Sequence, residues 1–278
     1  MISKYLNLPL FGKGIVASAC ICLLAGLASC DNVDEADRFI KVERPEIARK
    51  VLVQEFTGQG CINCPQGAAL VHSMQSQYPG AIVAVNLHPE NTQYTRPLGG
   101  LKLTSKEATA YYQYYKPAML PSAVIDGAAP VSNVSLWTDA ILQAIARPAP
   151  ADLELTTEYN SATRELKVTY SSTFNEVFSS PLNINVWLME NDIVGPQYSG
   201  SNILRDYVHN HVLRTSLTGE WGVAVADSFI PNDKFTATFS IVIDESWKAE
   251  NCEVIAFLQN PSSKAVEQSA EAPVINHE

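Results

Sequence analysis

Apolar positions in this chain keep two different periods, and the change between them divides the sequence. From residue 49 to 147, short apolar runs alternate with helical stripes. Val51-Leu52-Val53-Gln54-Glu55-Phe56 predicts a strand. Ala81 to Leu87 is nearly all apolar, as expected for a strand covered on both faces of a parallel sheet. Between them Leu70, Val71, Met74 and Tyr78 recur at helical spacing; Pro65 suits the first turn and Pro79-Gly80 ends the helix. A stretch rich in Pro, Asn and Gly runs from about 88 to 103. Thr104 to Tyr115 then predicts a helix capped by Thr104 or Ser105. Ser122 to Asp126 reads as a short strand, and Asp126-Gly127 as a turn. Leu136, Trp137, Ala140, Ile141, Ala144 and Ile145 form the stripe of a closing helix.

Arg147-Pro148-Ala149-Pro150 is the expected boundary, because two prolines break the helix and stiffen the link. Beyond it the period becomes two. Leu153, Leu155, Thr157 and Tyr159 alternate with polar residues, as do Leu166, Val168 and Tyr170, then Leu182, Ile184, Val186 and Leu188. Phe235, Phe239, Ile241 and Ile243 follow, then Cys252, Val254, Ala256 and Leu258. Strands without intervening helices predict an all-β sandwich of immunoglobulin size over 151–278. The expected fold class is therefore α+β in two domains: an α/β domain over 49–147 and an immunoglobulin-like sandwich.

The first 48 residues belong to neither pattern. Lys4 and Lys13 precede an apolar stretch, Ile15 to Ala28, of signal-peptide length. Leu27-Ala28-Ser29-Cys30 resembles a bacterial lipobox, which implies a signal peptide over 1–29 and lipid on Cys30; the alternative is an ordinary signal peptide with an accidental cysteine. Lipid anchoring draws about 0.8 kcal/mol from each buried methylene. Residues 30–48 read as an acidic tether, with Asp31, Asp34, Glu35 and Asp37 crowding its start. These acids read as an export signal under one lineage's sorting code and as inner-membrane retention under another.

Charge narrows the partners. The chain carries 19 basic and 29 acidic side chains. Taking away Lys4 and Lys13, and no acid, leaves 17 basic against 29 acidic, a balance of −12 for residues 30–278. Such a surface argues against nucleic acid or anionic headgroups as partners. No phosphate-binding loop, nucleophile elbow or paired-carboxylate motif supports a hydrolase or a nucleotide enzyme.

Of the six cysteines, Cys20 and Cys22 leave with the signal peptide and Cys30 carries the lipid. Cys61, Cys64 and Cys252 remain, and one pair plus a single is the simplest arithmetic in an oxidising compartment. Cys61-Ile62-Asn63-Cys64 falls between a strand and a helix. Backbone N–H groups and the helix dipole there stabilise a thiolate. Cys61 is expected to be the exposed nucleophile and Cys64 the residue that resolves the mixed disulfide. Cys252 falls on an apolar strand face and reads as a buried, inert thiol.

Here residues 49–147 resemble the thioredoxin superfamily. The resemblance rests on the strand–Cys-x-x-Cys–helix unit, on Glu55 six residues before Cys61, and on Met119-Leu120-Pro121-Ser122 ahead of a short strand. It implies that Glu55 is a buried acid that takes the Cys64 proton, and that Pro121 is a cis-proline shaping the partner groove. Strand alternation puts Glu55 on one face with Val51 and Val53, which permits burial without requiring it. Gly60 stands where a tryptophan often precedes the first cysteine, Ser122 where threonine usually follows the proline, and Ile62-Asn63 matches no well-studied redox class, so the direction of electron flow stays open. The whole segment after Cys30 also resembles outer membrane protein 28-related lipoproteins, through Phe56-Thr57-Gly58 leading into Cys61-Ile62-Asn63-Cys64-Pro65 and through the run Tyr207-Val208-His209-Asn210-His211-Val212-Leu213-Arg214. That resemblance implies an outer-membrane lipoprotein, on the periplasmic or cell-surface face, with a thioredoxin-like domain followed by a β-domain.

Two functions follow as expectations. One is thiol–disulfide exchange with protein thiols or disulfides of exported proteins, with Cys61, Cys64, Glu55 and Pro121 as site residues and no cofactor. The other is a non-enzymatic cell-surface binding or assembly lipoprotein that uses its β-domain, with Cys61–Cys64 as a structural disulfide. Zinc is disfavoured because one Cys-x-x-Cys pair supplies half a site; Cu(I) on the thiolates with His88 is a further alternative. His209 and His211, two apart on a strand, read as structural rather than as ligands.

Overall fold

The computed structural model describes residues 49–275; the expected signal peptide, Cys30 and the expected tether lie outside the described residues. The described chain is mixed α+β, mostly sheet with few helices. Its first part runs β1 (Val51–Phe56), α1 (Cys64–Gln77), β2 (Ile82–Leu87), α2 (Lys106–Tyr115), β3 (Ser122–Ile125) and α3 (Trp137–Ile145). All follow the sequence pattern to within a few residues, and of the two cap candidates Ser105 takes the role, accepting from the Ala108 N–H. Ten strands follow: β4 (Ala151–Asn160), β5 (Glu165–Phe174), β6 (Leu182–Glu190), β7 (Ile193–Ser199), β8 (Asn202–His209), β9 (Val212–Ser216), β10 (Val223–Ala226), β11 (Lys234–Val242), β12 (Cys252–Gln259) and β13 (Val266–Pro273).

The expected boundary needs correcting. Arg147–Pro150 does join α3 to β4, but the main sheet runs across it in the order β13-β12-β6-β9-β2-β1-β3, with β10 also on β6. Residues on both sides of the link belong to one compact unit. The seam is β2 against β9, parallel, through Asn86 and Val212. Asn86 secures it with its N–H to the His211 carbonyl (2.7 Å) and its side-chain amide to the Asn210 carbonyl (2.8 Å). The sheet also curls until its ends meet. The Val266 N–H on β13 donates to the Asp126 carbonyl just after β3, and the Ser269 hydroxyl to the Lys50 carbonyl just before β1.

The reason is visible in the strands. On β6, Leu182, Ile184, Val186 and Leu188 face a three-stranded sheet, β11-β5-β4, which packs on one side. Trp187 and Met189 face the other way, into a core shared with Leu52, Phe56, Val83 and Val85 from β1 and β2 and with Tyr111 from α2. On β12, Ile255 and Phe257 do the same. A strand buried on both faces needs cover from both, and here the second cover comes from the first half of the chain. The opposite face of β1, β2 and β3 is covered by α1 and α3, with Trp137 and Ile141 against Val51, Val53 and Ala84. Cys252 lies free in the core between the two sheets, and burial pushes its thiol up to about 12, as expected of an inert residue.

Candidate functional site

β1 delivers Glu55 and Phe56 to the start of a tight loop, and α1 begins at Cys64. Gly58 makes the loop possible, since a Cβ there would sit 2.4 Å from the Tyr94 carbonyl oxygen. Cys61 and Cys64 are joined as a disulfide with Cα atoms 5.4 Å apart. The Leu120–Pro121 peptide is cis, as expected, and Leu120 packs in the same apolar cluster as both cysteines.

Glu55 is buried on the face it shares with Val51 and Val53, and neither carboxylate oxygen has a hydrogen-bond partner among the described residues. Burial raises its carboxyl to about 8. The space is made by Gly67 in α1, where a Cβ would lie 2.8 Å from both Glu55 Oε1 and the Trp137 ring. A glycine in mid-helix costs about 1 kcal/mol; here it lets an acid and an indole pass beneath the helix.

One expectation is overturned. Cys61 is 2% exposed, no more than Cys64, while Ile62 between them is 49% exposed. The roof is the β7–β8 hairpin, a two-stranded sheet of its own. Gln59 and Ile62 carbonyls accept from the Tyr198 (2.8 Å) and Gly200 (3.0 Å) N–H groups. Buried Gln197 donates from Nε2 to the Gly58 and Cys61 carbonyls at 3.2 and 3.0 Å. Nothing in the cysteine motif predicts this cover, because it arrives from more than 130 residues away along the chain.

The same hairpin closes a cavity of about 60 Å³ beneath the disulfide, lined by residues that include Glu55, Cys64, His88, Tyr207, His209 and His211. His88 and His209 are buried with ring centroids 6.3 Å apart. Burial lowers His88 to about 3 and His209 to about 4, with Arg214 adding repulsion to both and the Gly195 and Pro196 carbonyls opposing it at His209. His211 is held at about 4 by burial and by His72. His209 and His211 do not share a strand face: His209 ends β8, and His211 sits in a left-handed turn at φ +55°. Among the described residues, no group of three or more His, Cys, Asp or Glu is gathered to hold a metal ion.

The sequence profile described as outer membrane protein Omp28 matches residues 108–277. The chain belongs to this family. Membership supports an outer-membrane location; the matched span begins after the cysteine pair, so it says nothing of that pair. No curated protein matches the chain. Among solved structures, this Omp28-family chain is similar to HBP35 of Porphyromonas gingivalis, with TM-score 0.66 and 15% identity over 83% of this chain and 77% of that one. It is also similar to a protein of Agrobacterium tumefaciens, with TM-score 0.50 and 15% identity over 84% and 98% of the two chains. At those identities the likeness is one of fold. A domain of the outer membrane lipoprotein Omp28 from Porphyromonas gingivalis shares 20% identity over 46% of this chain and 90% of that one, with TM-score 0.33.

Proposed function

We propose that this Omp28-family protein is a lipid-anchored outer-membrane lipoprotein whose thioredoxin-like site carries out thiol–disulfide exchange on exported proteins. The observation that carries the reading is a disulfide at a strand-to-helix turn, set over a buried, unpartnered Glu55 and packed against Leu120 of the cis Leu120–Pro121 bond. The order β1–α1–β2–α2–β3–α3, with β2 parallel and β3 antiparallel to β1, supports a thioredoxin-like arrangement. A partner thiolate attacks Cys61 Sγ and breaks the bond to Cys64, which takes up a proton. In reverse, Cys64 gives that proton to Glu55, attacks the mixed disulfide at Cys61 and releases the partner as a thiolate.

The test is a disulfide-exchange assay on purified residues 31–278. Wild type exchanges, Cys61→Ser does not, and Cys64→Ala accumulates mixed disulfides with partners. Equal activity in wild type and Cys61→Ser sinks the reading. The anchor has its own check. In cells, the whole chain sediments with outer membranes and incorporates labelled fatty acid, and Cys30→Ser loses both; unchanged labelling in that variant excludes Cys30 as the lipid site.

Burial of Cys61 favours a second reading, a cell-surface binding or assembly lipoprotein in which the disulfide only staples a loop. A Cys61–Cys64 bond that resists reduction under native conditions selects it.

A further inference from the structure

The exchange reading leaves a proton without an exit. Glu55 is walled in by α1 above and by Trp137 of α3 beside Gly67, and its oxygens meet no donor among the described residues. A carboxylate that takes the Cys64 proton keeps Cys64 a thiolate only if the proton moves on as it arrives, and the cavity is the space it opens onto. A cavity of about 60 Å³ has room for a water with polar neighbours on several sides, since about one probe sphere of volume holds one.

Two further facts single out one wall. His209 Nε2 is buried and has no hydrogen-bond partner among the described residues, so the cavity contains an unpartnered acid and an unpartnered imidazole nitrogen. Tyr207 also lines the cavity; its ring centroid lies 4.8 Å from that of His209, and it is close enough to Glu55 to feel its charge. Both come from β8, the outer strand of the hairpin that roofs the disulfide.

We infer that the hairpin is a working part of the redox site, in which His209 relays the Glu55 proton through the cavity to solvent. The inference rests on the exchange reading. The proton leaves the Cys64 thiol for a Glu55 oxygen, and then crosses the cavity to His209 Nε2 as Glu55 returns to carboxylate. The imidazolium is transient: burial and Arg214 disfavour it, and the Gly195 and Pro196 carbonyls hold it long enough to pass the proton on. It discharges to solvent and the neutral ring is restored. The groups that share the cavity wall with His209 are Glu55 from β1, Cys64 from α1, His88 after β2, Tyr207 on its own strand and His211 beyond it, and Arg214 from β9 acts on it electrostatically. His209 acts on the sulfurs only through Glu55, so it is a positioning residue.

The reduced protein (residues 31–278) is mixed with 5,5′-dithiobis(2-nitrobenzoate) in a stopped-flow instrument. Cys61 thiolate attacks the reagent and releases one thionitrobenzoate. Cys64 then loses its proton, attacks Cys61 and releases a second. Only the second phase uses the relay. His209→Gln is expected to leave the first phase unchanged and to slow the second about tenfold at pH 9, above the folded Glu55 value of about 8, so that the carboxylate is ionised and can accept; the size lies within the range of acid–base contributions. In a Glu55→Gln background the same change is expected to add nothing. Wild type is expected to show a curved proton inventory in mixed H₂O and D₂O, a measurement that needs no variant to fold. A second phase untouched by His209→Gln, equal slowing in both backgrounds, or a linear inventory overturns the relay and leaves exchange standing. A wild-type protein with no second release, like Cys64→Ala, overturns the exchange reading itself.

Discussion

Glu55→Gln is expected to flatten the pH dependence of stability and to make the protein more stable than wild type in alkali. The sign follows from burial. Burial in the folded chain raises the Glu55 carboxyl to about 8, against 4.5 in the unfolded chain. Below pH 4.5 it is protonated in both folded and unfolded chains and has no net effect. From pH 4.5 to about 8 only the unfolded chain ionises, so each unit favours unfolding by about 1.4 kcal/mol. Above about 8 the loss is complete, on the order of 4–5 kcal/mol. Glutamine carries no charge and leaves this limb out. The buried histidines act in the opposite sense: with folded values of about 3 to 4 against 6.5, they have no net effect above pH 6.5, and as the pH falls from 6.5 toward 4 only the unfolded chain takes up their protons, which favours unfolding. Wild type is therefore most stable near pH 6.5. Half-buried Glu271, raised to about 7, adds to the alkaline decline in both proteins and cancels in the comparison. Urea unfolding of the oxidised proteins at pH 5, 7 and 9 checks this. The two curves should converge at pH 5 and part by several kcal/mol at pH 9; parallel curves exclude an ionisable, buried Glu55.

Asp126→Ala is expected to cost about 3–5 kcal/mol, the usual penalty for stripping the partner from a buried charge. Asp126 Oδ2 accepts from buried Arg49 at 2.8 and 3.1 Å and from half-exposed Arg147 at 2.8 Å, while Oδ1 accepts from the Leu52 N–H at 2.8 Å. Arg49 also donates to the Pro148 and Val266 carbonyls. One carboxylate thus ties β1, the turn after β3, the end of α3 and the start of β13. Without it Arg49 stays 2% exposed with its charge unpaired. Asp126→Asn keeps the acceptor for Leu52 and suits the left-handed backbone at φ +45°, so it is expected to cost less than alanine. Urea denaturation with linear extrapolation gives both numbers; a loss under about 1 kcal/mol for Asp126→Ala shows that the pair contributes little.

Local pattern carried much of this architecture. The α1, α2 and α3 stripes, the apolar runs of β1 and β2 and the period-two strands β4, β5, β6, β11 and β12 stand where their spacing puts them, because each records which face of one element meets the core. Asp126-Gly127 reads as a turn, and it is one. Its role as an ion-pair hub is invisible in sequence, since Arg49 and Val266 come from far along the chain. The division into two bodies failed for a related reason. Reading β6 as alternating attends to Leu182, Ile184, Val186 and Leu188 and passes over Trp187 and Met189, whose burial on the second face joins the halves into one sheet.

By itself the sequence determined the family and the Cys-x-x-Cys turn with an acid six residues before it; residue type and short spacing suffice for these. Glu55's burial was only permitted by strand alternation. Tertiary structure decided that Glu55 lies buried under Gly67 without a partner, that Gln197 and its hairpin roof Cys61, and that His209 shares a cavity with Glu55 and Cys64. Accessibility, desolvation and proton routes depend on which atoms surround a group, and here the hairpin that brings Gln197, Tyr207 and His209 arrives from more than 130 residues along the chain.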